Sequence, residues 1–152
     1  YSQVAARFRG VEASGTRRLL SGGQTLDLSL RADSVRASNQ TTGQPLPRVS
    51  PLRVGASLAW AQGAWGARLG VDRVAAQNRV PAGEQSTPGY TLWNAALTWR
   101  MKAGASHLLW YARLDNAGNR LAYSATSILT QTAPGKAPLP GRSLSLGLEA
   151  TF

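Results

Sequence analysis

Residues able to do chemistry are few and widely spaced in this 152-residue sequence. The single histidine, His107, stands beside a glycine-containing turn, where a lone imidazole predicts a surface side chain rather than a metal ligand or general base. Asp27 and Asp33 share one face of a strand-like segment and could be taken for a paired-carboxylate site. Arginines such as Arg31, Arg68 and Arg100 alternate in the same way, so the expected partners of these carboxylates are guanidinium groups in an ion-pair network. No nucleophile elbow, phosphate loop, metal-spaced pair or catalytic dyad occurs, so neither an enzyme nor a resident cofactor or metal is expected. The absence of cysteine excludes a disulfide framework and any thiolate metal site.

The formal charge of +10 raises nucleic acid as a partner. Phosphate-backbone binding needs clustered cations, whereas here Lys and Arg are spread one or two per segment, with no stacking motif or recognition-helix pattern. No nucleic acid is expected. A basic lumen or loop surface that attracts anionic ligands or lipopolysaccharide accounts for the charge equally well.

The elements that position these residues follow a period of two. About seven segments alternate apolar and polar residues. In the last, Leu144, Leu146, Leu148, Ala150 and Phe152 share one face against Ser145, Gly147, Glu149 and Thr151. Upstream, Leu26 to Ala32 oppose Asp27 to Asp33, and Leu52 to Trp60 oppose Arg53, Gly55 and Ser57. Trp65 to Val71 oppose Arg68 and Asp72, Trp93 to Trp99 oppose Asn94 and Arg100, and Leu108 to Leu114 oppose Tyr111, Arg113 and Asp115. The first segment, Gln3 to Leu19, is less regular, with Val11, Ala13 and Gly15 set against Gly10, Glu12 and Ser14. Charge is expected to keep to the second face throughout.

The connections alternate in length. Ser21 to Gln24, Gln62 to Ala64 and Lys102 to Ser106 are tight; Asn39 to Pro51, Arg79 to Gly89 and Asn116 to Gly141 are long and hold all eight prolines. Short turns on one rim and long loops on the other are the arrangement of outer-membrane barrels, whose periplasmic turns are short. Trp60 and Trp65 flank one tight turn, and Trp99 and Trp110 another. These four are expected at one height as an aromatic girdle on strands of about 9–11 residues. The fold class predicted is therefore all-β, a run of antiparallel transmembrane β-barrel strands. Asp27, Arg31, Asp33, Arg68, Asp72, Arg100, Arg113, Asp115 and Glu149 would be lumen-facing charges. Two other readings fit the alternation: a complete small barrel of about eight strands with a structural or adhesive role, and a soluble all-β module whose tryptophans lie between two sheets.

The stretch "RLDNAGNRLAY", Arg113 to Tyr123, and the ending "APLPGRSLSLGLEATF" resemble the penultimate-strand motif and last strand of TonB-dependent outer-membrane receptors. "GYTLWNAALTWRM", Gly89 to Met101, and "RFRGVEASGTRRL", Arg7 to Leu19, resemble earlier strands of the same family. The long loop "SILTQTAPGKAPLPGR", Ser127 to Arg142, resembles the zinc- and haem-uptake branch. The motif departs from the family at Ala117 and Gly118, where apolar residues are usual. The resemblance implies that residues 1–152 are the C-terminal part of a barrel of the plugged, 22-stranded class, with the plug and earlier strands lying upstream. It implies import of a ferric chelate, haem or a metal ion such as zinc across the bacterial outer membrane, driven through TonB by the missing N-terminal region. Further partners would be outer-membrane lipid and lipopolysaccharide, and the barrel assembly machinery, which would read Leu144, Leu146, Leu148 and Phe152. No position here matches the family's metal-binding residues.

Overall fold

A computed structural model describes residues 4–152, so Gln3, where the first segment was expected to start, lies outside the described residues. Seven strands form one antiparallel sheet in sequence order: β1 (Ala6–Leu20), β2 (Thr25–Asn39), β3 (Arg53–Gln62), β4 (Trp65–Val74), β5 (Tyr90–Ala103), β6 (Ser106–Asp115) and β7 (Ser143–Thr151). Each strand pairs with its sequence neighbours. The order follows from the turns: Gly63 and Gly104 sit first in two-residue connections with φ of 54° and 63°, the conformation a tight hairpin demands of its first central residue.

Because directly opposed residues share a face, the register can be followed across the sheet. One row runs Leu26, Trp60, Ala67, Leu97, Ala112, Leu146; the next polar row runs Arg18, Asp27, Ala59, Arg68, Ala96, Arg113, Ser145. A one-residue slip anywhere would exchange the faces, and none occurs between β2 and β7. A single irregularity lies at Arg18/Leu20. The tight turns step along the sheet, from Leu20/Leu26 through Gln62/Trp65 to Ala103/Ser106, with β5 running four residues past the Trp65–Trp99 pair. Such stagger is what strand tilt in a barrel produces.

Among the described residues, no second layer covers the sheet. Ala37 and Ala122 are the buried apolar residues among those described, while Leu146 is 72% and Trp93 48% exposed. A soluble sandwich would cover this face; a lipid-facing wall leaves it bare. One expectation needs correction. β1 and β2 have 15 residues and β5 has 14, beyond a bare membrane span, because the hairpins continue past the apolar band. The third long connection also holds a short helix, α1 (Ile128–Thr132), where no helical periodicity is visible. Five residues are too few to display it, and the Ser127 side chain caps the helix by accepting from the Leu129 amide.

Candidate functional site on the polar face and its loops

The polar face holds the sequence-predicted charges in a specific pattern. The Arg18 guanidinium is bidentate on Asp27, at 2.8 and 2.9 Å, and Arg53 Nε lies 2.9 Å from Asp33. Arg31 pairs with Asp72, and Arg113 with Asp115 on its own strand at 2.8 Å. Asp27 and Asp33 are thus paired as expected, but by Arg18 and Arg53, their direct cross-strand neighbours, not by Arg31, Arg68 or Arg100. Arg68 instead donates to Ser57 Oγ at 3.0 Å. Arg100 and Glu149 flank Leu109 in register and are in no ion pair among the described residues. His107 is exposed between Lys102 and Thr151, and no three His, Cys, Asp or Glu gather among the described residues. Of the paired groups, Arg31, Asp72 and Arg113 border a trough of about 770 Å³ whose walls also include Ser29, Ser57 and Asn94.

The register corrects the expectation that charge keeps to one face. On the polar face, Arg18, Arg31, Arg53, Arg68, Arg100, Lys102 and Arg113 are nearly balanced by Glu12, Asp27, Asp33, Asp72, Asp115 and Glu149. The remaining acid, Glu84, is in a loop. Arg7, Arg9, Arg17, Arg36 and Arg73 have the parity of the apolar face and stand at its two ends. The excess positive charge therefore belongs to that face and the loops. Sequence reading missed it because alternation was followed only through the apolar middle of each strand.

On the apolar face, Trp65, Trp99 and Trp110 occupy one row with Leu148, and the Trp65 and Trp99 rings stack with centroids 5.6 Å apart. Trp60 is one step along, in the row of Leu146, and its Nε1 donates to Gln24 Oε1 at 3.0 Å. The four are neighbours but not a single row. Leu144, Leu146 and Leu148 share this face on β7, and Phe152, just past the strand, is 98% exposed.

The long connections interlock at the other rim. Gln77 Nε2 donates to the Val49 carbonyl and Arg79 Nη1 to that of Ala37, tying the second loop to the first strand pair and its loop. Gln131, on α1, accepts from the Gln85 amide and donates to the Gln85 carbonyl. The "LDNAGN" motif explains how the third loop returns to β7. Asn116 is buried, with φ of 46°; its Nδ2 donates to the carbonyls of Arg120 and Pro140 and its Oδ1 accepts from the Arg120 amide. Asn119 Oδ1 accepts from the Arg142 amide at 3.0 Å, one residue before β7. Asparagine suits both positions because it tolerates a left-handed backbone while bonding main-chain groups.

Known proteins share this architecture. The family model for the TonB dependent receptor-like, beta-barrel matches residues 1–117. Among solved structures, the copper transporter OprC is 21% identical with a TM-score of 0.76, aligned over 98% of this chain and 24% of that one. The chain thus spans about a quarter of that protein's length, and the likeness is one of fold. With seven strands paired in sequence order, a bare apolar face and a family match over most of its length, the chain belongs to the TonB dependent receptor-like β-barrel family.

Proposed function

We propose that residues 1–152 are the C-terminal part of a receptor barrel that imports a scarce nutrient, a ferric chelate, haem or a metal ion such as zinc, with energy delivered by TonB through a region outside this sequence. The observation that carries the reading is the seven-strand sheet whose apolar face is uncovered and whose first and last strands each have a free edge. Open edges in a bilayer leave ladder groups unsatisfied, so further strands of the same barrel must pair with β1 and β7. In this reading the ion-paired face lines the lumen, Trp60, Trp65, Trp99 and Trp110 form the periplasmic girdle, and the end of β7 with Phe152 is read by the assembly machinery. The interlocked loops face outside and help to capture the ligand. These strands supply wall and mouth; copper, which OprC's name specifies, is one candidate cargo among several.

The test is uptake by the full-length receptor in cells limited in turn for iron, haem, zinc and copper. Receptor-dependent and TonB-dependent accumulation of one of these is expected. Equal accumulation with and without TonB, for every nutrient, would defeat the energised-import reading.

A further inference from the structure

We infer that the outward face of the β1–β2 hairpin, at its open end, binds the phosphate groups of outer-leaflet lipopolysaccharide through Arg9 and Arg36, with Arg7 beside them. Arg9 and Arg36 are direct cross-strand partners, and Arg7 is the next residue of the same parity, opposite Ser38. All three are exposed. Like charges directly opposed in a sheet repel, since their Cβ atoms are only about 4.5–5.5 Å apart. No carboxylate relieves them: among the described residues, none of the three is in an ion pair, and no acid shares their face. A di-anionic phosphate set between two guanidinium forks removes the repulsion and supplies charge-assisted hydrogen bonds.

Depth selects a lipid over a soluble anion. Arg9 lies eleven residues from the turn-side end of β1 at Leu20, and Arg36 ten from Leu26. About 9–11 tilted residues cross the hydrocarbon, so both arginines reach headgroup level when the tight turns are periplasmic. On the same face the rows below them run Val11 with Ser34, Ala13 with Ala32 and Gly15 with Leu30, and Val11 and Leu30 are 74% and 54% exposed. Acyl chains against that surface carry their phosphates to the arginine pair. The inference rests on the proposed orientation of the barrel.

The full-length receptor, purified in detergent, is titrated with diphosphorylated lipid A, with the same lipid after dephosphorylation, and with the first lipid in competition with inorganic phosphate. Preference for the phosphorylated lipid of about tenfold or more is expected from paired charge-assisted bonds. It should vanish in Arg9→Gln/Arg36→Gln and persist in Lys136→Gln/Arg142→Gln, which removes equal charge from a loop. Equal binding of the two lipids, or a preference retained without Arg9 and Arg36, overturns the inference. Displacement by inorganic phosphate at concentrations matching the lipid would identify a free-phosphate site and also overturns it. Should the Gln pair fail to assemble, Arg9→Lys/Arg36→Lys keeps the charge without the fork, and an unchanged preference there counts against the assignment. Lost lipid preference with loops still labelled from outside sinks this inference alone; loops accessible only from the periplasm sink the orientation beneath it.

Discussion

Arg31 and Asp72 are paired across a strand to which neither belongs. Arg31 is on β2, Asp72 on β4, and Gly55 of β3 lies between them in register. A Cβ at position 55 would fall 2.6 Å from both Arg31 Nε and Asp72 Oδ1, so the pair occupies the volume a side chain would fill. Glycine is required here for space, not for a special φ.

Gly55→Ala should therefore uncouple the pair. Both partners are partly exposed, so the whole interaction is worth about 0–1 kcal/mol, and the barrel should still assemble. A double-mutant cycle with Arg31→Gln and Asp72→Asn should give a favourable coupling in the native background and none in the Gly55→Ala background. An undiminished coupling would show that the guanidinium reaches Asp72 by another path.

The strand faces were legible because the period-two pattern from Leu52 to Trp60 and from Leu144 to Phe152 is what a one-sided apolar environment imposes. The ion-pair partners were not, because they depend on register: Asp33 meets Arg53 and not Arg31 only once β2 and β3 are aligned residue by residue. Asn116 was visible as part of a motif, but its role lies in bonds to Pro140, 24 residues away, which no local pattern encodes.

Asn116→Asp should loosen the third loop without unfolding the barrel. The aspartate retains an acceptor for the Arg120 amide but loses both donations, leaving the carbonyls of Arg120 and Pro140 without that partner. Losing such a buried polar contact costs about 1–3 kcal/mol. Proteolysis after Lys136 in assembled receptor on intact cells should accelerate in proportion. Cleavage at the native rate would mean that the bonds of Asn119 to Arg142 and of Gln131 to Gln85 hold the loop without Asn116.

Leu146→Arg and Ser145→Arg place the same charge on opposite faces of β7, since Leu146 opposes Ala112 and Ser145 opposes Arg113. A lipid-facing arginine costs roughly 2–4 kcal/mol at the midplane, whereas the polar face can hydrate it. Assembled full-length receptor should fall sharply for the first variant and little for the second. Equal levels in the outer membrane would contradict the assigned facing.

Topology is tested by single cysteines, for which the chain offers a clean background because it has none. Gln44, Gln85 and Lys136 lie in the three long loops and are exposed, so cysteines there should react with a membrane-impermeant maleimide on intact cells. At the opposite rim, Gly22, Gly63 and Gly104 are poor probe sites, because φ of 123°, 54° and 63° would strain any substituted residue. Gly23, Ala64 and Ala105 avoid that strain while remaining in the same turns. They should label only after the outer membrane is breached, since short turns face the periplasm in such barrels. The Gln85 probe carries one further expectation. Its main chain is held by Gln131, so Gln131→Ala should raise its labelling rate by releasing the loop, while the Gln44 probe, tied down by neither bond, should be unaffected. Labelling of the turn set on intact cells would reverse the orientation, and with it the assignment of the arginine pair to the outer leaflet.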